Sequence, residues 1–285
     1  MSGKYGIWKI ESIIEEKLDS AIYNVIPSPL EDKSIELYEN DWVIKITNYD
    51  TEIKVIESLK LYENPYACKM PSNYLYRHGF YKKNNWFVLE KYDNNLLNNF
   101  IFGKQNLNLL ILNIIDFIEW LHVEKKQIHG DIKAQNIVVK KHSINKPFCL
   151  IDYESIQEPD LTIICKDNLP NGYYYYSLGC NINESFLSYR MDLEAFGMIL
   201  WALTLSEEKY FSFLWQDSSY YYYNNHEKNN YFNHIDKTRQ LNIQPKNHLI
   251  TNYYDIINKV KWTDKIANPD IYINIRNLVN RDASK

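Results

Sequence analysis

The chain is short of glycine, arginine and cysteine, and it has no long apolar run. Four cysteines (Cys68, Cys149, Cys165, Cys180) stand 81, 16 and 15 residues apart, so no CxxC pair exists. That spacing argues against a structural zinc site and reads as reduced thiols in an intracellular protein. The most apolar stretch, Leu107 to Leu121, is broken by Asn108, Asn113, Asp116 and Glu119. No transmembrane helix is therefore expected. The polar N-terminus, Met1 to Trp8, lacks the apolar core of a signal peptide. An excess of positive charge is also missing. The formal net charge is −4, with a pI of about 6.0, which argues against a broad basic surface for nucleic acid. No internal repeat is visible.

What is present is an ordinary globular composition, 45% hydrophobic and 24% charged, which excludes wholesale disorder. A length of 285 residues suits one large domain or two lobes sharing a cleft. There are 25 tyrosines and 33 asparagines, and 27 of the 32 cations are lysine. All three residues have AT-rich codons, so the skew reads as a genome bias of the kind some large DNA viruses and parasites carry. Against that drift the five arginines (Arg77, Arg190, Arg239, Arg276, Arg281) and eight glycines are informative by position.

Ile10 to Val25 and Trp42 to Thr47 are rich in β-branched residues and read as strands, as does Trp86 to Glu90. Thr51 to Glu63 has near-helical apolar spacing with Thr51 as N-cap. In Asn106 to His122, Leu109, Leu110, Ile114, Phe117, Ile118 and Leu121 recur at three- and four-residue steps, predicting a helix. Ile137 to Val139 and Phe148 to Ile151 predict a hairpin. Leu193 to Leu205, Tyr254 to Val260 and Ile271 to Val279 predict helices, and Ser206 to Asn247 an exposed insertion. Strands first and helices after suit an α+β protein, with the join near Tyr92 to Asn99.

The chemistry-bearing stretch is His129-Gly130-Asp131-Ile132-Lys133-Ala134-Gln135-Asn136, followed 16 residues later by Asp152 in Leu150-Ile151-Asp152-Tyr153-Glu154. Phosphoryl transfer needs such a set. One carboxylate takes or orients the proton of the attacking hydroxyl, a lysine neutralises the moving group, and an amide oxygen with a second carboxylate holds magnesium.

On these residues the chain resembles a eukaryotic-type protein kinase of the casein-kinase-one group, closest to the vaccinia-related kinases. That family carries HGDIKA-x-N and DYG. The segment Ser188, Arg190, Asp192-Leu193-Glu194, Gly197 resembles its SRR-x-DLE-xx-G motif, and Asn268-Pro269-Asp270 with Ile275-Arg276 resembles its PDY-xx-LR close. The resemblance spans about Trp8 to Val279.

It implies a bilobal kinase fold in a single domain over 1–285, with an N-lobe of about 8–92 and a C-lobe of about 93–280. It implies Asp131 and Lys133 as catalytic residues, Lys45 on the α- and β-phosphates of ATP, and Mg²⁺ on Asn136 and Asp152. Glu57 is the favoured ion-pair partner of Lys45, with Glu52 as the rival. The adenine hinge is Glu90 to Tyr92, with Leu89 as gatekeeper. Asp192 is expected to receive backbone N–H groups of the catalytic loop, and His129 to brace it. His122 and His142 read as surface residues. The implied partner is a protein substrate or binding protein, by family resemblance a small chromatin-associated host protein, with no direct nucleic-acid contact and no membrane. The protein is expected to be soluble and intracellular, in the cytoplasm or nucleus of a host cell if its origin is viral.

The sequence departs from the family in three places. Glu15, Lys17 and Ser20 stand where the phosphate loop has its three glycines, whose backbone N–H groups approach phosphate without a Cβ in the way. Glu154 replaces the glycine of DYG, and its carboxylate is a further group able to bind or perturb a metal. Tyr173 replaces the threonine that contacts the catalytic aspartate and lysine. Two readings stay open, a Ser/Thr kinase with a degenerate glycine loop and a pseudokinase acting as a non-catalytic scaffold.

Overall fold

The computed structural model describes residues 4–5, 7–28, 37, 39–96, 104–140, 143, 147–164, 185–203, 248–259 and 267–283. The predicted insertion at 206–247, the tyrosine runs at 173–176 and 220–223, and His142 lie outside them. The described residues form an α+β arrangement with the strands concentrated in the first third of the chain.

An antiparallel sheet is built from β1 (Lys4–Tyr5), β2 (Trp8–Glu16), β3 (Ser20–Pro27), β4 (Trp42–Thr47), β5 (His78–Tyr81) and β6 (Asn84–Glu90). Its order is β1-β2-β3-β4-β6-β5. The alternation of β4 sets the two faces. Trp42, Ile44 and Ile46 join Trp8, Val25, Trp86 and Val88 in one apolar cluster. Val43 packs against the other, larger cluster, and Lys45, two residues on, shares its face. A lysine thus sits on an inward strand face, opposite Phe87 in the neighbouring strand.

That face is covered by α1 (Thr51–Leu59). Asp50 rather than Thr51 is the N-cap, and Lys60 in the left-handed conformation (φ 55°) ends the helix. The expected segment Thr51 to Glu63 is therefore split, its last part forming a separate 3₁₀ turn at Leu61–Glu63. A short helix, α2 (Tyr74–Arg77), leads into the edge strand β5.

The helical part is organised around α3 (Lys104–Glu119), which runs on into a π turn at Trp120–Glu124. By length and composition, Asn106–Glu124 is the one helix among the described residues able to cross a bilayer. Its apolar face is instead the centre of the core, with Leu110, Ile111, Ile114, Ile115, Phe117, Ile118 and Leu121 at most 1% exposed. Around it pack α4 (Tyr189–Ala202), α5 (His248–Asn258) and α6 (Pro269–Ala283). Arg276 of α6 donates from Nε to Asp116 of α3 at 2.8 Å and also pairs with Glu119.

The predicted hairpin is present as β8 (Ile137–Val139) and β9 (Phe148–Leu150), joined by the two-residue strand β7 (Asn94–Asn95). A further antiparallel pair is β10 (Asp160–Ile164) with β11 (Ser185–Leu187). Asp152, in the turn after β9, thus faces Lys45 of β4, 107 positions earlier, and Tyr153 faces Glu52 of α1.

Candidate functional site

Lys45 is the centre of the charged cluster. Its Nζ donates to Glu52 Oε2 at 2.6 Å and to Asp152 Oδ1 at 3.0 Å. Glu52 Oε1 also accepts the Tyr153 N–H at 3.0 Å, so one carboxylate ties α1 to both the strand lysine and the chain after β9. Burial opposes a charged Lys45, but the two carboxylates outweigh it and raise its pKa. Asp152 moves the opposite way. Burial raises its pKa, yet Lys45 outweighs that and holds the carboxyl below its ordinary range. Burial dominates at Glu52 and pushes it up.

The expected Lys45–Glu57 pair is not formed, and Glu52 takes the place. The reason is helical geometry. Glu52 and Ile56, four residues apart, share the buried face of α1. Glu57 lies five positions from Glu52, well round the helix, and its Oε1 accepts from Arg77 Nη1 at 3.0 Å. The clue was in the sequence, because Ile56 marks the buried stripe and Glu52 is its i−4 neighbour.

The loop residues converge as expected. Lys133 Nζ donates to Asp131 Oδ2 at 2.6 Å, and Asn136 Nδ2 donates to the same oxygen and to the Asp131 carbonyl, both at 2.9 Å. Among the described residues, Asp131 Oδ1 is buried without a hydrogen-bond partner, an acceptor that a native site rarely leaves idle. The Ile151 N–H donates to the Asn136 carbonyl at 2.9 Å, which brings the amide residue alongside the segment carrying Asp152. Asp152 itself is left-handed, with φ 71° and ψ 72°, a strain of order 1 kcal/mol for a non-glycine residue. Glu154 needs no such conformation. It lies in a single 3₁₀ turn, Tyr153–Ser155, and the positive φ falls two residues earlier, at Asp152. The carboxylate oxygens of Glu52, Asp152 and Glu154 lie within 4.8 Å of one another.

Asp192 holds the loop from behind. Its Oδ2 accepts the His129 N–H at 2.6 Å and its Oδ1 the Gly130 N–H at 3.1 Å. Gly130 has φ +79°, and a Cβ there would lie 2.7 Å from the Ser155 carbonyl oxygen. His129 Nδ1 accepts the Asp131 N–H at 3.3 Å, so its bracing role has a geometric basis. His122, expected on the surface, is fully buried. Its Nε2 lies 2.8 Å from Asp192 Oδ2 and its Nδ1 lies 2.6 Å from the Tyr272 hydroxyl. A carboxylate only accepts, so Nε2 carries a proton toward Asp192. The π turn is what carries His122 inward, and no periodicity in the sequence announces it.

His129 sets a pH dependence. Burial lowers its pKa from 6.5, against the raising influence of Asp192, Asp131 and Asp152. Below about 6.5 the unfolded chain takes up a proton that the folded chain refuses, so stability falls as pH falls toward the lowered value. The slope is at most about 1.4 kcal/mol per pH unit for this one proton. His78, also lowered by burial first, acts in the same direction. Unfolding free energies at pH 7 and 5.5 should differ less in His129→Gln than in the wild type. An identical difference in both proteins would assign the effect elsewhere.

The residues of the expected hinge make their own local contacts. Leu89 is buried, and the Glu90 N–H donates to the Lys69 carbonyl at 2.8 Å. The Glu90 carbonyl accepts from Cys68 Sγ at 3.7 Å, and the Glu90 side chain accepts from Lys140 at 2.6 Å. Tyr92 packs against the main core, and burial raises its pKa.

The β2–β3 tip departs from a phosphate cradle. The Lys17 N–H donates to the Ser20 carbonyl at 2.8 Å, closing a tight turn, and Lys17 Nζ pairs with Glu15 at 2.9 Å in solvent. One backbone donor of the glycine-loop positions is thereby spent inside the hairpin. No protein-family model matches the chain, and no curated protein matches it either.

Proposed function

We propose that the chain is a phosphotransferase of protein-kinase type, a bilobal kinase resembling the vaccinia-related kinases, that transfers the γ-phosphate of Mg²⁺·ATP to a Ser/Thr hydroxyl of a protein. The observation that carries the reading is Lys45 set between Glu52 and Asp152, residues 7 and 107 positions away. A lysine and two carboxyl groups brought together from separate elements cost desolvation energy that a scaffold has no reason to spend. In this reading Lys45 positions the α- and β-phosphates, and Glu52 holds Lys45. Asp131, through the Oδ1 that has no hydrogen-bond partner among the described residues, receives or orients the hydroxyl proton, and Lys133 neutralises developing charge on the transferred group. Asn136 and Asp152 are the residues that would hold magnesium, which supplies charge neutralisation on the phosphates.

One observation favours a second reading, the nucleotide-independent scaffold. The Lys17 N–H is committed to Ser20, and Glu15 brings a negative charge to the tip that would cover a triphosphate. Thermal unfolding with Mg²⁺·ATP separates the two. At 100 times its Kd a nucleotide stabilises the fold by about 2.7 kcal/mol. The kinase reading expects a clear upward shift in the wild type and none in Lys45→Met. No shift in the wild type at millimolar Mg²⁺·ATP would leave the scaffold standing.

A further inference from the structure

Arg77 is one of only five arginines in a lysine-rich chain, and the site described above does not use it. It is 3% exposed, and each nitrogen of its guanidinium has an acceptor. Nε donates to the Pro71 carbonyl at 3.1 Å, Nη2 to the Ser72 carbonyl at 2.8 Å, and Nη1 to Glu57 Oε1 at 3.0 Å. Its flat face stacks on Tyr62, with Cζ 3.3 Å from the ring centroid. Only a planar fork satisfies three acceptors in different directions while covering a ring, and the compact ammonium of a lysine does not.

The groups it joins belong to different elements. Glu57 lies in the second half of α1, and Tyr62 is in the 3₁₀ turn that follows. Pro71 and Ser72 precede α2, and Arg77 itself adjoins the edge strand β5. His78 Nε2 lies 3.0 Å from the same Glu57 oxygen. The C-terminal half of α1 is thus fastened to the sheet by its outer face, while Glu52 in its first turn reaches Lys45 from the inner face. A helix held at two faces has its rotation about its own axis fixed. The apolar contacts of Ile53, Val55, Ile56 and Leu59 constrain that rotation less sharply than two directional ion pairs do.

We propose that Arg77 is a positioning residue, which through Glu57 sets the rotation of α1 and so keeps Glu52 on Lys45. The consequence for catalysis rests on the phosphotransferase reading, whereas the mechanical link between the two ion pairs does not. Loss of the link lets α1 turn or drift, Glu52 leaves Lys45, and the lysine loses one of its two carboxylates. A misplacement of about 1 Å at a phosphate-positioning group costs roughly 10²-fold in turnover.

The test reads the lysine directly. Lys45 acetylation by N-hydroxysuccinimidyl acetate at pH 8 is followed by peptide mass spectrometry in the folded full chain. The proteins compared are the wild type, Glu52→Gln, Glu57→Gln, Arg77→Met and Arg77→Lys. Glu57 is partly exposed, so Glu57→Gln guards against an Arg77 variant that fails to fold. Acetylation at Lys45 should be several-fold faster in Glu52→Gln, Glu57→Gln and Arg77→Met, because an Nζ released from Glu52 Oε2 is freer to meet the reagent. Arg77→Lys should restore the slow rate only in part. If Glu52→Gln speeds the reaction while Glu57→Gln and Arg77→Met match the wild type, the positioning role is wrong. If Glu52→Gln has no effect, Lys45 is not held by Glu52 and the role fails with its premise. Phosphotransfer in the same variants judges the kinase reading separately. An inactive wild type whose Lys45 nonetheless responds to Glu57→Gln refutes the kinase reading and keeps the mechanical link.

Discussion

Asp192→Ala is expected to lower the unfolding free energy by about 3–5 kcal/mol, judged from the penalties for orphaned buried donors and broken buried ion pairs. Asp192 is 1% exposed and takes three donors, the backbone N–H groups of His129 and Gly130 and the ring of His122. Burial raises the pKa of its carboxyl, but the His122 hydrogen bond and charge lead the groups that outweigh burial and lower it. Alanine removes the acceptor and leaves all three donors in a dry interior, each costing about 1–3 kcal/mol. The loss is larger than a methyl-sized cavity explains. The loop it anchors carries Asp131, so the damage extends to the site. Urea unfolding of the wild type and the variant measures the difference, and a loss below about 1 kcal/mol would show that the hub is dispensable. The depressed carboxyl adds a sign. Its contribution is present above the unfolded aspartate pKa and is lost as the pH falls through the folded value.

Asp131→Asn is expected to behave in the opposite manner, sparing the fold and removing the reaction. Asparagine keeps the size of the side chain and an oxygen to accept from Lys133 and Asn136. It no longer offers a carboxylate oxygen to a hydroxyl proton. Turnover should fall by about 10²–10⁴-fold, the usual contribution of a positioned base, while the melting temperature stays within a few degrees. Equal turnover in the two proteins would remove Asp131 from the mechanism. A collapse of stability in the variant would instead make the Lys133–Asp131 pair structural.

The sequence was most readable where a pattern and a packing requirement coincide. The alternation of β4 gives Trp42, Ile44 and Ile46 to one face and Val43 with Lys45 to the other, and the spacing of Leu110, Ile114, Phe117 and Leu121 foretells α3. The loop at His129–Asn136 was readable because its donors and acceptors lie within a few residues of each other. Choices that depend on helix rotation were harder. By sequence Glu57 is favoured over Glu52 as the partner of Lys45, and the decision for Glu52 turns on which face of α1 is buried. His122 was unreadable because a π turn breaks the 3.6-residue period that would have placed it. Arg77 gave only the weak signal of its rarity, since its acceptors are backbone carbonyls and a carboxylate 20 residues away. At the β2–β3 tip the missing glycines were plain, but the internal Lys17-to-Ser20 hydrogen bond that they permit needed coordinates.

The most direct measurement of the central claim is transfer of label from γ-³²P-ATP with Mg²⁺ to Ser and Thr of a protein acceptor, catalysed by the wild type, Asp131→Asn and Asp152→Asn in parallel. The account predicts labelled phosphoserine or phosphothreonine with the wild type and at most about 1% of that rate with either variant. No label with the wild type, or equal label with all three, would contradict it.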